Sequence, residues 1–296
     1  MLKKRARYWV AVSLMASLLS FGLACGKKGG DDAADSGNTA GGGDKGTAYT
    51  SKGDEGTITG KVALTGTAPE GKKVDTSADP VCAQRSPNLT TEEVSAKDGK
   101  LANAFVYIKD GTTADGKKIG DLTFTTPATA ANLDQNGCHY KPHVLGLQTN
   151  QKLSVTNSDP TQHNVHPTPK NNPEWNQSQG ANAPPIEKTF AKSEVLIPVK
   201  CNQHPWMKAY IGVLKHPFFA VSKEDGTFEI KGVPPGKYTV VAWQEKLGEK
   251  TMEVTVPAKG SATADYTFDA GATKASNQSS SLQVLPALDI PMLMKH

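Results

Sequence analysis

The sequence predicts an all-β protein built from β-sandwiches. From about Gly56 onward, short runs alternate apolar and polar residues, Gly, Pro, Asn and Asp bound those runs, and no segment carries a long amphipathic helical period. The first predicted strands are 57–64, with Ile58, Val62 and Leu64 on one face, and 104–109, a nearly continuous apolar run. Strands 144–148 and 152–157 follow, then 195–200 and 209–214, each rich in Val, Ile and Leu. Strand 227–230 leaves an Asp225-Gly226 turn and strand 237–243 leaves the Pro234-Pro235-Gly236 turn, with 251–256 and 264–268 completing the set. Residues 171–185, rich in Asn, Gln, Pro and Gly, read as a long surface loop.

With 296 residues the chain is long enough for one large or two modest domains with a true core. Residues 1–24 read as an export signal, since Lys3, Lys4, Arg5 and Arg7 precede an apolar stretch that ends in Gly22-Leu23-Ala24. Cys25 then stands where a bacterial lipobox places its acylated cysteine, although Gly22 occupies a position where Leu is expected; an ordinary cleaved signal and an uncleaved anchor are the alternatives. Residues 25–55 read as a flexible tether too polar to pack, with nine Gly between Gly26 and Glu55, and would behave as a coil of roughly 30 Å reach. These features imply a lipoprotein held at the membrane through its anchor, in the periplasm or at the cell surface. The formal charge of +4 comes from the leader, and without those four residues the basic side chains equal the 29 acidic ones. No nucleic-acid partner is therefore expected. Residues 270–296 read as a mobile tail in which Met292, Met294 and His296 lie too loosely to define a site.

The cysteines are Cys25, Cys82, Cys138 and Cys201. If Cys25 carries lipid, three remain in an oxidising compartment, so one needs a separate role. Cys201 has the singular surroundings, because Cys201, His204 and Met207 place a thiolate, an imidazole and a thioether at three-residue intervals, a donor set suited to copper. Parity then leaves Cys82 and Cys138 as a disulfide pair.

A copper site of this type needs a second imidazole, and His163-Asn164-Val165-His166 lies upstream after strand 152–157. Together with Cys201-Asn202-Gln203-His204-Pro205-Trp206-Met207, this run resembles the cupredoxins, the type 1 blue-copper family, in their amicyanin- and plastocyanin-like branch. The resemblance covers roughly residues 132–216. It implies a Greek-key sandwich over 131–216, one copper ion held by His163, Cys201, His204 and Met207, and Asn164 bracing the ligand loop. It also implies that Trp206 forms an apolar rim around a partly exposed His204, with plain packing as the alternative, and it gives His166 no ligand role. Gln203 stands where the family has Pro, adding an amide near the thiolate that would raise the reduction potential. His139 and His143 beside Cys138 read as solvated residues near strand ends, and His216 as a boundary residue after the last strand.

The Asp225-Gly226 and Pro234-Pro235-Gly236 turns with their strands resemble the carboxypeptidase regulatory-like, transthyretin-like sandwich. That module covers 217–269, and 56–130 looks like its opening strands, which would make the cupredoxin an insertion. The alternative is a separate C-terminal sandwich. The resemblance implies no catalytic residues there. The function expected from the whole is single-electron carriage between redox partners such as a c-type cytochrome or an oxidoreductase. No enzyme activity is expected, since Lys200 and Asn202 flank Cys201 where copper enzymes wire further ions through an adjacent His. A copper carrier or store, and a metal-free envelope scaffold or adhesion protein, are the competing readings.

Overall fold

The computed structural model describes residues 46–271, and within them the chain is almost wholly strand and turn. The signal, Cys25, and all of the tail beyond residue 271 lie outside the described residues.

One sandwich is built from residues 131–214. Its first sheet runs Ile186–Lys188, Leu153–Asn157, Ala131–Gln135 and Tyr140–Lys141; its second runs Gln177–Gln179, His163–Pro167, Glu194–Lys200, Lys208–Leu214 and Val144–Gln148. The alternation predicted for Leu153–Asn157 is borne out, with Leu153, Val155 and Asn157 inward. Leu153 and Val155 join Leu133, Tyr140, Leu147, Val165, Ile197, Val199, Ile211 and Val213 in one buried core that also holds Cys201 and Met207.

The other sandwich takes its strands from both sides of the first. Phe105–Thr113 pairs with Phe219–Val221 on one edge and with Gly236–Gln244 on the other. Gly56–Thr65 pairs antiparallel with Thr227–Val233 and parallel with Ser261–Thr263 and Tyr266–Asp269. Ile58, Val62 and Leu64 face its core, as their spacing predicts.

The two sandwiches meet sheet to sheet. Phe105, Tyr107 and Val241 of one pack on Val144, Leu196 and Leu214 of the other. The contact is close because Gly146 and Gly212, adjacent in register, present no side chain; a Cβ on Gly146 would lie 2.4 Å from the Phe219 ring and one on Gly212 2.4 Å from the Phe105 ring. A bulge in Glu194–Lys200 places Leu196 at φ 64° and turns it into this contact, while Ile197 and Val199 stay in the core. His143 adds a polar link, its Nε2 donating to Glu245 Oε1 at 2.6 Å, while the Tyr210 hydroxyl donates to the other oxygen at 2.9 Å. The expectation of a solvated His143 is thus corrected: the residue is 8% exposed, because Glu245 supplies the partner that water would otherwise provide.

Two further expectations change, and one element is added. Residues 46–55 are not free coil: Thr47–Ala48 pairs with Leu122–Thr123 and the Tyr49 ring lies 5.2 Å from Phe124, so one aromatic anchors an otherwise polar segment. The stretch 171–185 contains the strand Gln177–Gln179, and Gln179 is buried because its amide donates to Val155 and Pro184 carbonyls and accepts from Gln135. A short helix α1, Pro80–Arg85, is capped by Asp79, whose Oδ1 accepts from the Val81 and Cys82 amides, with Pro80 at its start. It carries Cys82 to Cys138, and the two form a disulfide with Cα atoms 5.6 Å apart, as cysteine parity predicts.

Two stability predictions arise here. The disulfide spans 56 residues of sequence, and closing a loop of that size should contribute about 4 kcal/mol in the chain-entropy treatment. Urea unfolding of the Cys82→Ala/Cys138→Ala protein should show a loss of that order. His216 is buried, stacks on Phe218 with ring centroids 5.4 Å apart, and accepts from the Phe218 amide. Burial lowers its pKa from 6.5 to about 4. The unfolded chain therefore binds the extra proton first, so this contribution is complete above pH 6.5 and is lost as pH falls toward 4. It amounts to about 3 kcal/mol. Unfolding free energies measured from pH 7 to 4 should fall less steeply in His216→Phe than in the wild type.

Candidate metal centre

The Cys201 to Met207 loop closes the end of the first sandwich. Cys201 ends the run Glu194–Lys200, and Met207 leads into Lys208–Leu214, which pairs with it. The amide of Cys201 donates to the Met207 carbonyl and the amide of Met207 to the His204 carbonyl, so the loop is a compact double turn. His163 and Asn164 begin the strand His163–Pro167, a strand with no clear alternation in its sequence, and they face this loop.

Asn164 braces the loop. Its Oδ1 accepts from the Asn202 amide at 2.6 Å, from the Gln203 amide at 3.4 Å and from the Cys201 thiol at 3.3 Å, and its own amide approaches the sulfur at 3.5 Å. Its Nδ2 is fixed in turn by Asn176 Oδ1 at 2.6 Å.

Three donor atoms converge. His163 Nδ1 lies 2.8 Å from His204 Nδ1, and Cys201 Sγ lies 3.7 Å from the latter. All three residues are buried, and their ligating atoms lie within 4.8 Å of one another. Each imidazole has a carboxylate at its far nitrogen: His163 Nε2 lies 3.0 Å from Asp159 Oδ2 and His204 Nε2 3.1 Å from Asp79 Oδ2. A carboxylate accepts only, so both Nε2 atoms carry hydrogen and both Nδ1 lone pairs point inward at each other. Two such lone pairs at 2.8 Å repel unless a proton or a metal ion lies between them. The residues therefore fit a soft, N/S-binding metal ion. Met207 lies fully buried in the same core cluster as Cys201.

Asp159 sits in a cradle of main-chain amides. The turn Asn136 to His139 has positive φ at Gly137 and Cys138, and these two amides donate to its oxygens at 2.8 Å each. Arg85 of α1 adds its Nε at 3.2 Å. Burial opposes the charge on Asp159, but the hydrogen bonds from His163 and the two amides outweigh it and hold the carboxyl below its usual range. For His163, burial works against the proton while Asp159 and Cys201 favour it, giving a pKa of about 9. Burial pushes the Cys201 thiol up, but the His163 interaction and the nearby amides prevail and lower it. His204 is lowered, by burial and by the charge of His163.

The resemblance implies a partly exposed His204, and this is corrected. The residue is 4% exposed, because Asp79 and α1 cover its outer edge. Trp206 is half-buried beside it, its ring 5.0 Å from His204 and its Nε1 donating to the Cys138 carbonyl. His166 is not among the converging donors; its Nε2 lies 2.5 Å from Glu174 Oε1 and its Nδ1 3.2 Å from Asn202 Oδ1. Two further groupings, Asp79 with Cys82 and His204 and Cys138 with Asp159 and His163, use sulfurs already joined in the disulfide. Asp79 and Asp159 escape a reading of the sequence for ligands. Their signals are Asp-Pro pairs, one at a helix start and one four residues before His163.

Comparison with known proteins gives one family model, polysaccharide lyase family 4, domain II, over residues 214–264, where the sequence resembles the carboxypeptidase regulatory-like module. No curated protein matches. Among solved structures, a copper-containing nitrite reductase from Thermus scotoductus SA-01 aligns at 20% identity and TM-score 0.27, over 29% of this chain and 22% of that one. The chain thus matches under a quarter of that enzyme's length. A purple cupredoxin from Nitrosopumilus maritimus aligns at 19% identity and TM-score 0.25, covering 28% of this chain and 98% of its own. Amicyanin from Paracoccus versutus aligns at 15% identity and TM-score 0.26, covering 36% and 96%.

The bracing role of Asn164 is testable without metal. Asn164→Ala leaves the Asn202 amide without its acceptor and should lower unfolding stability by about 1–3 kcal/mol. Asn164→Asp, which keeps an acceptor oxygen, should lose less in the same urea titration.

Proposed function

We propose that this chain is a type 1 copper protein of the cell envelope that carries single electrons between redox partners. The observation that carries this reading is the convergence of His163 Nδ1, His204 Nδ1 and Cys201 Sγ, with both distal nitrogens committed to carboxylates. Met207, three residues beyond His204 and buried with Cys201, would supply a weak thioether donor. Bound copper would supply a one-electron couple. The chain supplies a donor cage held from three sides: Asn164 fixes the ligand loop, the amide cradle fixes Asp159, and the disulfide fixes α1. A cage that cannot rearrange suits electron transfer more than substrate chemistry.

Copper carriage is the second reading. Burial of His204 under Asp79 speaks against it, since a metal that must exchange needs an open edge. A metal-free scaffold would leave two inward-facing Nδ1 lone pairs with only a proton between them. The c-type cytochrome or oxidoreductase partner, the non-enzymatic role and the periplasmic or surface location by lipidation of Cys25 belong to this same proposal and rest on the sequence.

Loading with Cu(II) should give one ion per chain and an intense visible band from thiolate-to-copper charge transfer. Cys201→Ser should abolish the band, and Met207→Gln should keep copper but lower the reduction potential, because a harder donor favours Cu(II). Because binding displaces protons from the cluster, copper affinity should fall as pH falls. Stoichiometric copper without the band would overturn the type 1 assignment.

A further inference from the structure

The outer edge of His204 is covered by a residue from outside the sandwich that carries it. Asp79 lies in the segment between Gly56–Thr65 and Ala96–Lys97, two strands of the flanking sandwich. Its carboxylate is held at both oxygens. Oδ1 accepts from the Val81 and Cys82 amides at 2.8 and 3.2 Å, and Oδ2 accepts from the Thr161 hydroxyl at 2.8 Å and from His204 Nε2 at 3.1 Å. The side chain of Asp79 is 16% exposed and that of His204 6%. The helix that Asp79 caps is anchored twice, through Cys82 to Cys138 and through Arg85 to Asp159. Its position is therefore set by the same frame that sets the other imidazole.

We propose that Asp79 is a positioning residue of the metal centre: by accepting the Nε2 hydrogen of His204 it fixes the tautomer that offers Nδ1 to the ion, and its negative charge favours the more highly charged oxidation state. The proposal rests on the copper reading above. A carboxylate behind a ligating imidazole orients the ring and raises its basicity, and losing such a partner costs about 10- to 100-fold in metal affinity. A fixed negative charge also attracts Cu(II) more than Cu(I), so its removal falls mainly on the oxidised state. The flanking sandwich thereby contributes to the site, and the disulfide holds that contribution in place.

The test uses the full chain with its disulfide intact. In the metal-free protein, nitrogen NMR of the histidines should find His204 protonated at Nε2, and Asp79→Asn, which keeps a cap for α1, should mix the two tautomers. In the copper-loaded protein, Asp79→Asn should keep the visible band while the preference for Cu(II) over Cu(I) falls about tenfold, a rise of about 59 mV for one electron. Asp79→Glu, which keeps the charge, should stay closer to the wild-type potential. An unchanged potential in Asp79→Asn, or an Asp79→Glu shift as large as that of Asn, would overturn the proposal. So would a wild-type His204 protonated at Nδ1, a measurement that needs no variant to fold. A wild-type chain that takes up no copper defeats the copper reading itself, and is told apart from a coloured wild type whose Asp79→Asn variant matches it.

Discussion

Two imidazole nitrogens aimed at each other across 2.8 Å inside a protein demand a positive charge between them, and much of the surrounding structure exists to impose that demand. Left to themselves the rings would turn or swap tautomers. Asp159 and Asp79 prevent this by holding the far nitrogens, and each carboxylate is itself held by two main-chain amides. The turn at Gly137 and Cys138 supplies one pair of amides, and the first turn of α1 the other. The disulfide joins these two sources, so the supports of the two imidazoles are covalently one body. Asn164 does the same for the thiol side by tying three successive positions of the ligand loop to one oxygen.

Local patterns made part of this legible. Leu153–Asn157 and Val144–Gln148 could be read because each is a full strand with one face or both buried, so hydrophobicity records the pleat. That His163, Cys201 and His204 come together with Asn164 beside them could be expected because the loop restricts the spacing of its donor-bearing residues. Asp79 could not, since 125 positions separate it from His204 and nothing local distinguishes its carboxylate from other helix caps. The strand Gln177–Gln179 was hidden for a different reason: its buried residue is polar and is satisfied by side-chain hydrogen bonds, which leave no hydrophobic trace. Tyr49 and His143 teach the same lesson, because a single ring or a single buried Glu245 decides their environment.

The contact between the sandwiches bears on the site as well. Gly146 and Gly212 let aromatic rings of one sheet lie directly on the backbone of the other, and such close packing resists sliding. Asp79 lies in a segment that leaves a strand of the flanking sandwich, while its contacts to Thr161 and His204 and the anchors of α1 at Cys138 and Asp159 all fall on the other, so the chain running between the two sandwiches is pinned beside the site. The Leu196 bulge and the His143–Glu245 link fasten the same two sandwiches far from the donors themselves.

The strand order also has a temporal side. Residues 131–214 contain every strand of their own two sheets and can close as soon as they are available. The flanking sandwich cannot, because Gly56–Thr65 must wait for Thr227–Val233 and then for Tyr266–Asp269, its parallel neighbour near the other end of the described chain. During synthesis from the N-terminal end, Gly56–Thr65 would meet only Lys100–Leu101 and keep most of its edge unpaired until Thr227–Val233 had been made. A protein made this way can close its interior module before the sandwich that packs against it, and Asp79, which precedes that module in the chain, is available to His204 as soon as the module closes.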